Sequence, residues 1–476
     1  MSSLLFSDIE TVSTMIKNKE ISPVELLKET LDRMNQYEPT LHAFITVMEK
    51  EAQQEAHQAE KEIQQGNYKG ALHGIPIAVK DMLQTKGVRT TGGSKIFEKW
   101  IPDEDADAVK KLKQAGAIII GKANLHEFAM GATTENPHFG NTKNPWDLTR
   151  IPGGSSGGSA VATATGMAFG SLGTDTAGSI RLPAAFCGTV GFKPTYDVVS
   201  REGSFPFSWS LDHVGPMTRT VKDAAYMFEA IRREDGNRGP QGLFKQLNHL
   251  KGVTLGFHES YMFAGIEPEI KQLIEKAFQQ LEKLGAKIVP IELPFIDEAL
   301  DALRKIAQSE VITFHEPLLK QYEDIYGDDL KYRFQFGSNI SAKDYLNAQR
   351  IRNLFIQKTL KQMTEIDALI GPTNVQEPFH IGTMVPEQAI SNMFTLGKTP
   401  LANVLGFPAL SVACGFTKNS LPVGLQIIGK PYEDMKVLNI ANCYEKSESW
   451  VNKLKDNKNY MNFHQHKNQL KEKNKT

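Results

Sequence analysis

Two stretches rich in glycine and serine carry the residues best suited to chemistry: Gly153-Gly154-Ser155-Ser156-Gly157-Gly158-Ser159, and Gly173-Thr174-Asp175-Thr176-Ala177-Gly178-Ser179-Ile180-Arg181-Leu182-Pro183. Three chemistries compete for them. One is a phosphate cradle, because glycine lets backbone N–H groups converge on an anion. A nucleoside triphosphate loop needs Gly-Lys-Ser/Thr after its glycines and a dinucleotide loop needs GxGxxG; neither occurs in these stretches. The second is a nucleophile elbow, since Gly154–Gly158 matches GxSxG with Ser156 at the apex. That motif needs a strand before it, whereas residues 144–152 (NPWDLTRIP) read as a loop. It also needs a downstream carboxylate and histidine, and His213, His258, His315 and His380 keep the required order open. The third is hydrolysis by two serines and a lysine. A serine hydroxyl needs a base to attack near neutral pH. A lysine can serve if burial keeps it uncharged, and Lys80 closes the apolar run Ile75-Pro76-Ile77-Ala78-Val79. A second serine can relay the proton, and the glycine-containing stretch before Ser179 can aim N–H groups at a developing oxyanion.

From Gly153 to Pro183 the chain resembles the amidase signature family. The likeness continues in order through His73–Asp81, Gly121-Lys122-Ala123-Asn124, Gly191-Phe192-Lys193-Pro194-Thr195, Leu211–Arg219 and Pro422–Gly429. The resemblance implies an α/β fold, one large mixed β-sheet of about eleven strands covered by helices on both faces. It implies Lys80 as base, Ser155 as the bridging serine held by a cis peptide bond, and Ser179 as nucleophile. Thr176, Ala177, Gly178 and Ser179 match the backbone oxyanion hole; Ala177 is glycine in many members, a change that leaves a main-chain donor in place. Asp175 and Arg181 match supports of the nucleophile loop. Met130, with Thr133–Asn136, resembles a segment lining the substrate pocket, and Phe207 and Trp209 suit a pocket wall.

Plainer uses stand beside each of these. A lysine after a strand commonly marks a solvated strand end, Ser155 and Ser156 suit a turn, and Ser179 suits a helix N-cap. His213 reads as a structural contact despite the tempting Asp212-His213 pair. His126-Glu127 lacks the second histidine of HExxH, so no metal site is expected, and no cofactor.

The expected activity is hydrolysis of a linear amide C–N bond: a small carboxamide gives carboxylate and ammonia or amine through a Ser-cisSer-Lys triad and an acyl-enzyme. The alternative is the glutaminase component of a tRNA-dependent Asp/Glu amidotransferase, whose partner subunits would take the ammonia. Such glutaminases hold glutamine by an arginine and an aspartate; Arg352 lies where the arginine is expected, and Glu433, with Asp434 beside it, where the aspartate stands. Residues 306–317 (IAQSEVITFHEP) lack the Tyr- and Asn-rich pattern of those glutaminases, and Gly203–Ser210 carries bulky rings in place of their Ala/Ser stretch. Those departures weigh toward a free-standing amidase.

Around these residues the pattern alternates between strand and helix, as an α/β fold requires. Ser7 is expected to cap a helix over 8–18, Ser22-Pro23 to open one reaching about residue 36, and 48–65 to form a polar outer helix. Strands are expected at 75–79, 117–120, 253–257, 287–290, 368–371, 409–414 and 423–428. Helices are expected over 107–115, 267–284, 297–325, 341–364 and 432–449. The chain divides into an N-terminal helical region, 1–65, packing on the core; a catalytic domain, 66–450; and a flexible tail, 451–476, with seven lysines against Asp456 and Glu472.

Over the full 476 residues, Lys plus Arg number 54 and Asp plus Glu 55, so no global charge points to nucleic acid or an anionic membrane. Hydrophobic residues at 40% exclude global disorder. Cys187, Cys414 and Cys443 are few, odd in number and far apart, which excludes a disulfide scaffold and, with no basic apolar leader, fits a cytoplasmic setting. Expected partners are a small amide and, as an assembly, a homodimer.

Overall fold

The computed structural model describes residues 3–233, 242–337 and 339–448; the expected tail, 451–476, lies outside them. Eleven strands form one sheet. In chain order they are β1 (Phe44–Val47), β2 (Pro76–Lys80), β3 (Ile118–Ala123), β4 (Gly170–Asp175), β5 (Val190–Lys193), β6 (His213–Thr218), β7 (Thr254–Phe257), β8 (Lys287–Pro290), β9 (Ala368–Pro372), β10 (Ala409–Phe416) and β11 (Pro422–Gly429). Across the sheet the order is β1-β3-β2-β4-β6-β5-β10-β11-β9-β7-β8. β3, β2 and β4 run parallel, as do β8, β7 and β9; the pairs joining these groups through the middle of the sheet are antiparallel.

Central strands are buried along their whole length, β2, β3, β4, β6 and β11 without one exposed residue, because helices cover both faces. That is why the sequence shows short apolar runs there and no alternation. The two edge strands differ. Each has four residues, and β8 exposes Lys287 and Pro290 at its ends, residue types that discourage pairing with another chain.

The N-terminal helices follow their caps. Ser22 and Glu25 form a reciprocal capping box and Pro23 fills the first helical position, but the helix continues to Leu41, beyond the expected end. The first helix, Ile9–Lys17, is capped by Asp8, which accepts from Thr11 N; Ser7 does not serve. The polar helix, Glu49–Gln64, packs inward through Ala52, Ala56, Ala59 and Ile63, one stripe at helical spacing. The 1–65 region also supplies β1, paired with β3, and Ile9 N donates to the buried Asp223 at 2.8 Å. Among the described residues no helix is long and apolar enough to cross a membrane.

Candidate active site

Lys80 is the last residue of β2, and with both faces of the sheet covered its side chain has no route to water: it is fully buried. Its Nζ lies 2.7 Å from Ser155 Oγ, 2.9 Å from Ser156 Oγ and 2.8 Å from Thr174 Oγ1. Burial pulls the amine down from 10.5 to about 7, against the upward pull of Asp175 and Asp212. An uncharged amine donates two protons and accepts one, so one of the three hydroxyls must point its proton at the nitrogen. Ser156 Oγ has Thr174 O at 3.2 Å to donate to, and Thr174 Oγ1 has Met82 Sδ at 3.8 Å. Among the described residues Ser155 Oγ has no hydrogen-bond partner but the amine, and it is the nearest of the three.

Ser155 and Ser156 are held by a loop that glycine alone permits. The Gly154–Ser155 peptide is cis. A Cβ on Gly154 would stand 2.7 Å from Thr133 N, and one on Gly158 2.4 Å from Ala43 O. The Ser155 carbonyl accepts from His126 N at 3.2 Å, and Ser156 N donates to Ser179 O at 3.2 Å, joining the two glycine stretches. Ser156 precedes the helix Gly157–Ala164 with no strand before the loop, and its hydroxyl points into the Lys80 cluster. The elbow geometry is absent.

The Ser179 segment hangs on a buried ion pair. Arg181 donates to Asp175 through Nε at 3.0 Å and Nη2 at 2.9 Å, and also to Thr399 O, Asn403 Oδ1 and Gln426 Oε1. Both groups are fully buried; despite that burial, the Arg181 guanidinium holds the Asp175 carboxyl well below the usual range. Asp175 further accepts from Gly178 N at 2.8 Å and Ile180 N at 3.2 Å. Of the four expected oxyanion donors, the Gly178 N–H is therefore spent on Asp175, which leaves those of Thr176, Ala177 and Ser179. Gly178 has φ +128°, and a Cβ there would meet Thr399 Oγ1 at 2.0 Å. Ser179 is not a helix cap: the helix Arg181–Cys187 starts after Ile180 and has no side-chain cap. Ser179 is 5% exposed. Among the described residues its hydroxyl has no hydrogen-bond partner, and Ser155 Oγ does not reach it; such contacts commonly tighten when substrate binds.

A cavity of about 190 Å³ opens beside this cluster, lined by Met82, Thr174, Thr176, Phe207, Trp209 and Asp212, among others. Thr176 Oγ1 donates to Asp212 at 2.6 Å, and burial pushes the Asp212 carboxyl up to about 6. His213 faces the Leu211 carbonyl at 2.7 Å and not Asp212, so no charge relay forms. Phe207 and Trp209 line this cavity, while Met130 and Arg352 do not. Met130 is buried in a core cluster with Phe128, Ile151 and Leu182. Arg352 donates through Nε to Val404 O at 2.9 Å on the helix Pro400–Leu405, and its terminal nitrogens have no partner among the described residues. Asp434 accepts from Thr195 N and Oγ1, and Glu433 pairs with Lys436 at 3.0 Å. Glu127 takes Ser94, His138 and Gly327, and among the described residues no cluster of His, Cys, Asp and Glu could hold a metal.

Thr174, Thr399, Asn403 and Gln426 were given no role by sequence reasoning, while Ser156 was weighed only as an elbow nucleophile and Asp212 only as a partner of His213. Gln426 sits in the quoted Pro422–Gly429 block and Thr174 two residues before Thr176; Thr399 and Asn403 had no local signal.

The chain is similar to known proteins over nearly its whole length. Among the A subunits of glutamyl-tRNA(Gln) amidotransferases, that of Heliobacterium modesticaldum is 38% identical, over 93% of this chain and 97% of that protein. The solved structure of the corresponding Thermotoga maritima protein superposes with a TM-score of 0.79 at 34% identity, over 93% of this chain and 95% of that one. A solved structure described as an amidase superposes with a TM-score of 0.84 at 32% identity, over 93% of this chain and all of the other. With the Amidase family model matching residues 25–438, and with relatives and folds of this kind over nearly its whole length, the chain belongs to the amidase signature family of hydrolases acting on amide C–N bonds.

Proposed function

We propose that Lys80, Ser155 and Ser179 hydrolyse a primary carboxamide through an acyl-enzyme, and that the amide is the side chain of glutamine. The observation that carries the chemistry is the dry amine of Lys80 with the Ser155 hydroxyl 2.7 Å from its nitrogen. Ser179 Oγ attacks the carbonyl carbon as its proton passes to Ser155 and the Ser155 proton passes to Lys80. The N–H groups of Thr176, Ala177 and Ser179 take the developing oxyanion. The C–N bond breaks as the proton returns along the relay to the departing nitrogen, and ammonia leaves. Water then attacks the ester, giving its proton to the relay, and Ser179 is restored.

Glutamine is supported by relatives named as amidotransferase A subunits and by the unpaired terminal nitrogens of Arg352, a fork suited to a carboxylate. In that assignment partner subunits take up the ammonia. A free-standing amidase is supported by different observations: Phe207 and Trp209 on the cavity, and the commitment of Asp434 to Thr195 and of Glu433 to Lys436, which leaves neither of these two acids free for a substrate amine.

Ammonia release from glutamine and from benzamide, by the chain alone and with amidotransferase partner subunits, separates the two. Glutamine turnover that rises with the partners supports the amidotransferase role; benzamide turnover by the chain alone supports the free amidase. Ser179→Ala retaining wild-type turnover of either amide ends the nucleophile assignment.

A further inference from the structure

Residues 203–211 lie outside the sheet and outside the covering helices, yet carry Phe205, Phe207 and Trp209 on the wall of the cavity beside Thr176. Two carboxyls hold them. Asp212 accepts from Phe207 N and Ser208 N, both at 2.9 Å. Glu310, from the helix Ile296–Tyr322, accepts from Ser208 Oγ at 2.6 Å, from Ser210 N at 2.9 Å and from Ser210 Oγ. Its fourth donor is Tyr345 Oη at 2.8 Å, from the helix Ala342–Gln362, itself bonded to Gln349 Nε2 at 3.0 Å.

Ser208 is the shared link, its N–H on Asp212 and its hydroxyl on Glu310. Asp212 also receives Thr176 Oγ1, so the aromatic wall is strung between the Ser179 segment and the outer helices. Glu310 is 1% exposed and touches none of Lys80, Ser155 or Ser179. A buried carboxyl is costly unless its donors are in place; here every donor belongs to the wall or to the helix behind it. Trp209 also lines a second cavity, of about 850 Å³, together with Glu310 and Tyr345, so a displaced wall would trade space between the two.

We propose that Glu310 is a positioning residue that fixes the aromatic wall of the substrate cavity and so sets which amides fit. The inference rests on the amide-hydrolysis assignment for its kinetic consequence and on geometry alone for its structural one. Glu310→Ala releases the wall at Ser208 and Ser210, whereas Glu310→Gln keeps an acceptor for them and a donor for Tyr345.

The test compares wild type, E310A, E310Q and Tyr345→Phe with propionamide and benzamide as probes, together with acrylamide quenching of Trp209 fluorescence, isolated by subtracting Trp209→Phe controls. E310A is expected to raise the quenching constant of Trp209, which is 43% exposed in the native protein. It is expected to lower kcat/KM for benzamide by about tenfold, mainly through KM, with propionamide changed little. E310Q is expected to restore both readouts, and Tyr345→Phe to move both in the E310A direction by less. If E310A does not fold, Tyr345→Phe carries the comparison. Wild-type quenching together with an unchanged benzamide-to-propionamide ratio in the folded variants overturns the proposal. Absence of turnover by wild type would count against the hydrolase assignment alone, since quenching still decides whether Glu310 holds the wall.

Discussion

Lys80→Met tests the base and its cost together. Burial lowers the amine from 10.5 to about 7. At about 1.4 kcal/mol per pH unit, the folded chain gives up about 5 kcal/mol at and below pH 7 to keep this group dry. The unfolded lysine keeps its proton up to 10.5 and the folded one releases it near 7. Between those values the unfolded chain binds more protons, so the contribution of this group to stability rises with pH across that window. Methionine fills the slot without the penalty. Of the three hydroxyls, Ser156 and Thr174 keep other partners and only Ser155 is orphaned, at about 1–3 kcal/mol. K80M should thus be more stable than wild type by about 2–4 kcal/mol at pH 6, with the margin vanishing or reversing near pH 9.5. Its turnover should drop by about 10²–10⁴. Wild-type kcat/KM should climb about tenfold per pH unit below 7 and level off above it. Urea unfolding at the two pH values and a pH–rate profile from 5.5 to 9.5 measure all of this. A K80M protein less stable than wild type at pH 6, or a wild-type profile still rising past pH 9, would refute the dry-amine argument.

Ser155→Ala and Ser156→Ala should diverge: S155A removes the relay and costs about 10²-fold or more in kcat with a small change in melting temperature, while S156A lowers stability more than it lowers kcat, because Ser156 binds both polar backbone groups of Thr174. Steady-state kinetics beside thermal melts distinguishes them. Gly178→Ala should cut kcat by about 10²-fold, since a Cβ at φ +128° collides with Thr399 and moves Ser179; a near-native rate would show that the loop yields freely. Arg352→Gln should raise KM for glutamine about tenfold and leave KM for benzamide unchanged if the open fork binds a carboxylate; equal effects on both amides would assign Arg352 to packing.

What could be read from the sequence was whatever is local. The strands β2, β7, β8, β9, β10 and β11 and the long helices appear close to their expected bounds because each is a short apolar run or an amphipathic repeat. β4, β5 and β6 were not delimited in advance. β4 is Gly-Ser-Leu-Gly-Thr-Asp, with small residues where helices press on both faces, so hydrophobicity does not announce it. Lys80, Ser155 and Ser179 were singled out from motif order, and the fold brings Lys80 Nζ to 2.7 Å from Ser155 Oγ. Met130 was placed near the pocket by resemblance to a segment, and its side chain packs with Phe128, Ile151 and Leu182; a segment fixes the backbone path and not the direction of a side chain. The supports of Arg181 come from residues 399, 403 and 426, more than 200 positions away, and no local pattern encodes such a closure.

The direction of the strands explains why the cluster forms where it does. β2 and β4 are parallel neighbours, so Lys80 and Asp175 end them on the same side of the sheet. β4 then meets β6 antiparallel, so the start of β6 at His213 lies opposite Asp175 on that side. The helix Gly157–Ala164 begins on that side too, directly after Ser155 and Ser156, and returns the chain to the start of β4. Its N-terminus adds a positive potential near the Lys80 amine, which works with burial against the ammonium form. Asp175 and Asp212 work the other way. Asp175 is itself paired with Arg181 at 2.9 Å, and burial remains the largest influence on the amine. One carboxylate thus both holds the Ser179 segment, through Gly178 N and Ile180 N, and acts on the Lys80 amine, so the two are coupled through Asp175.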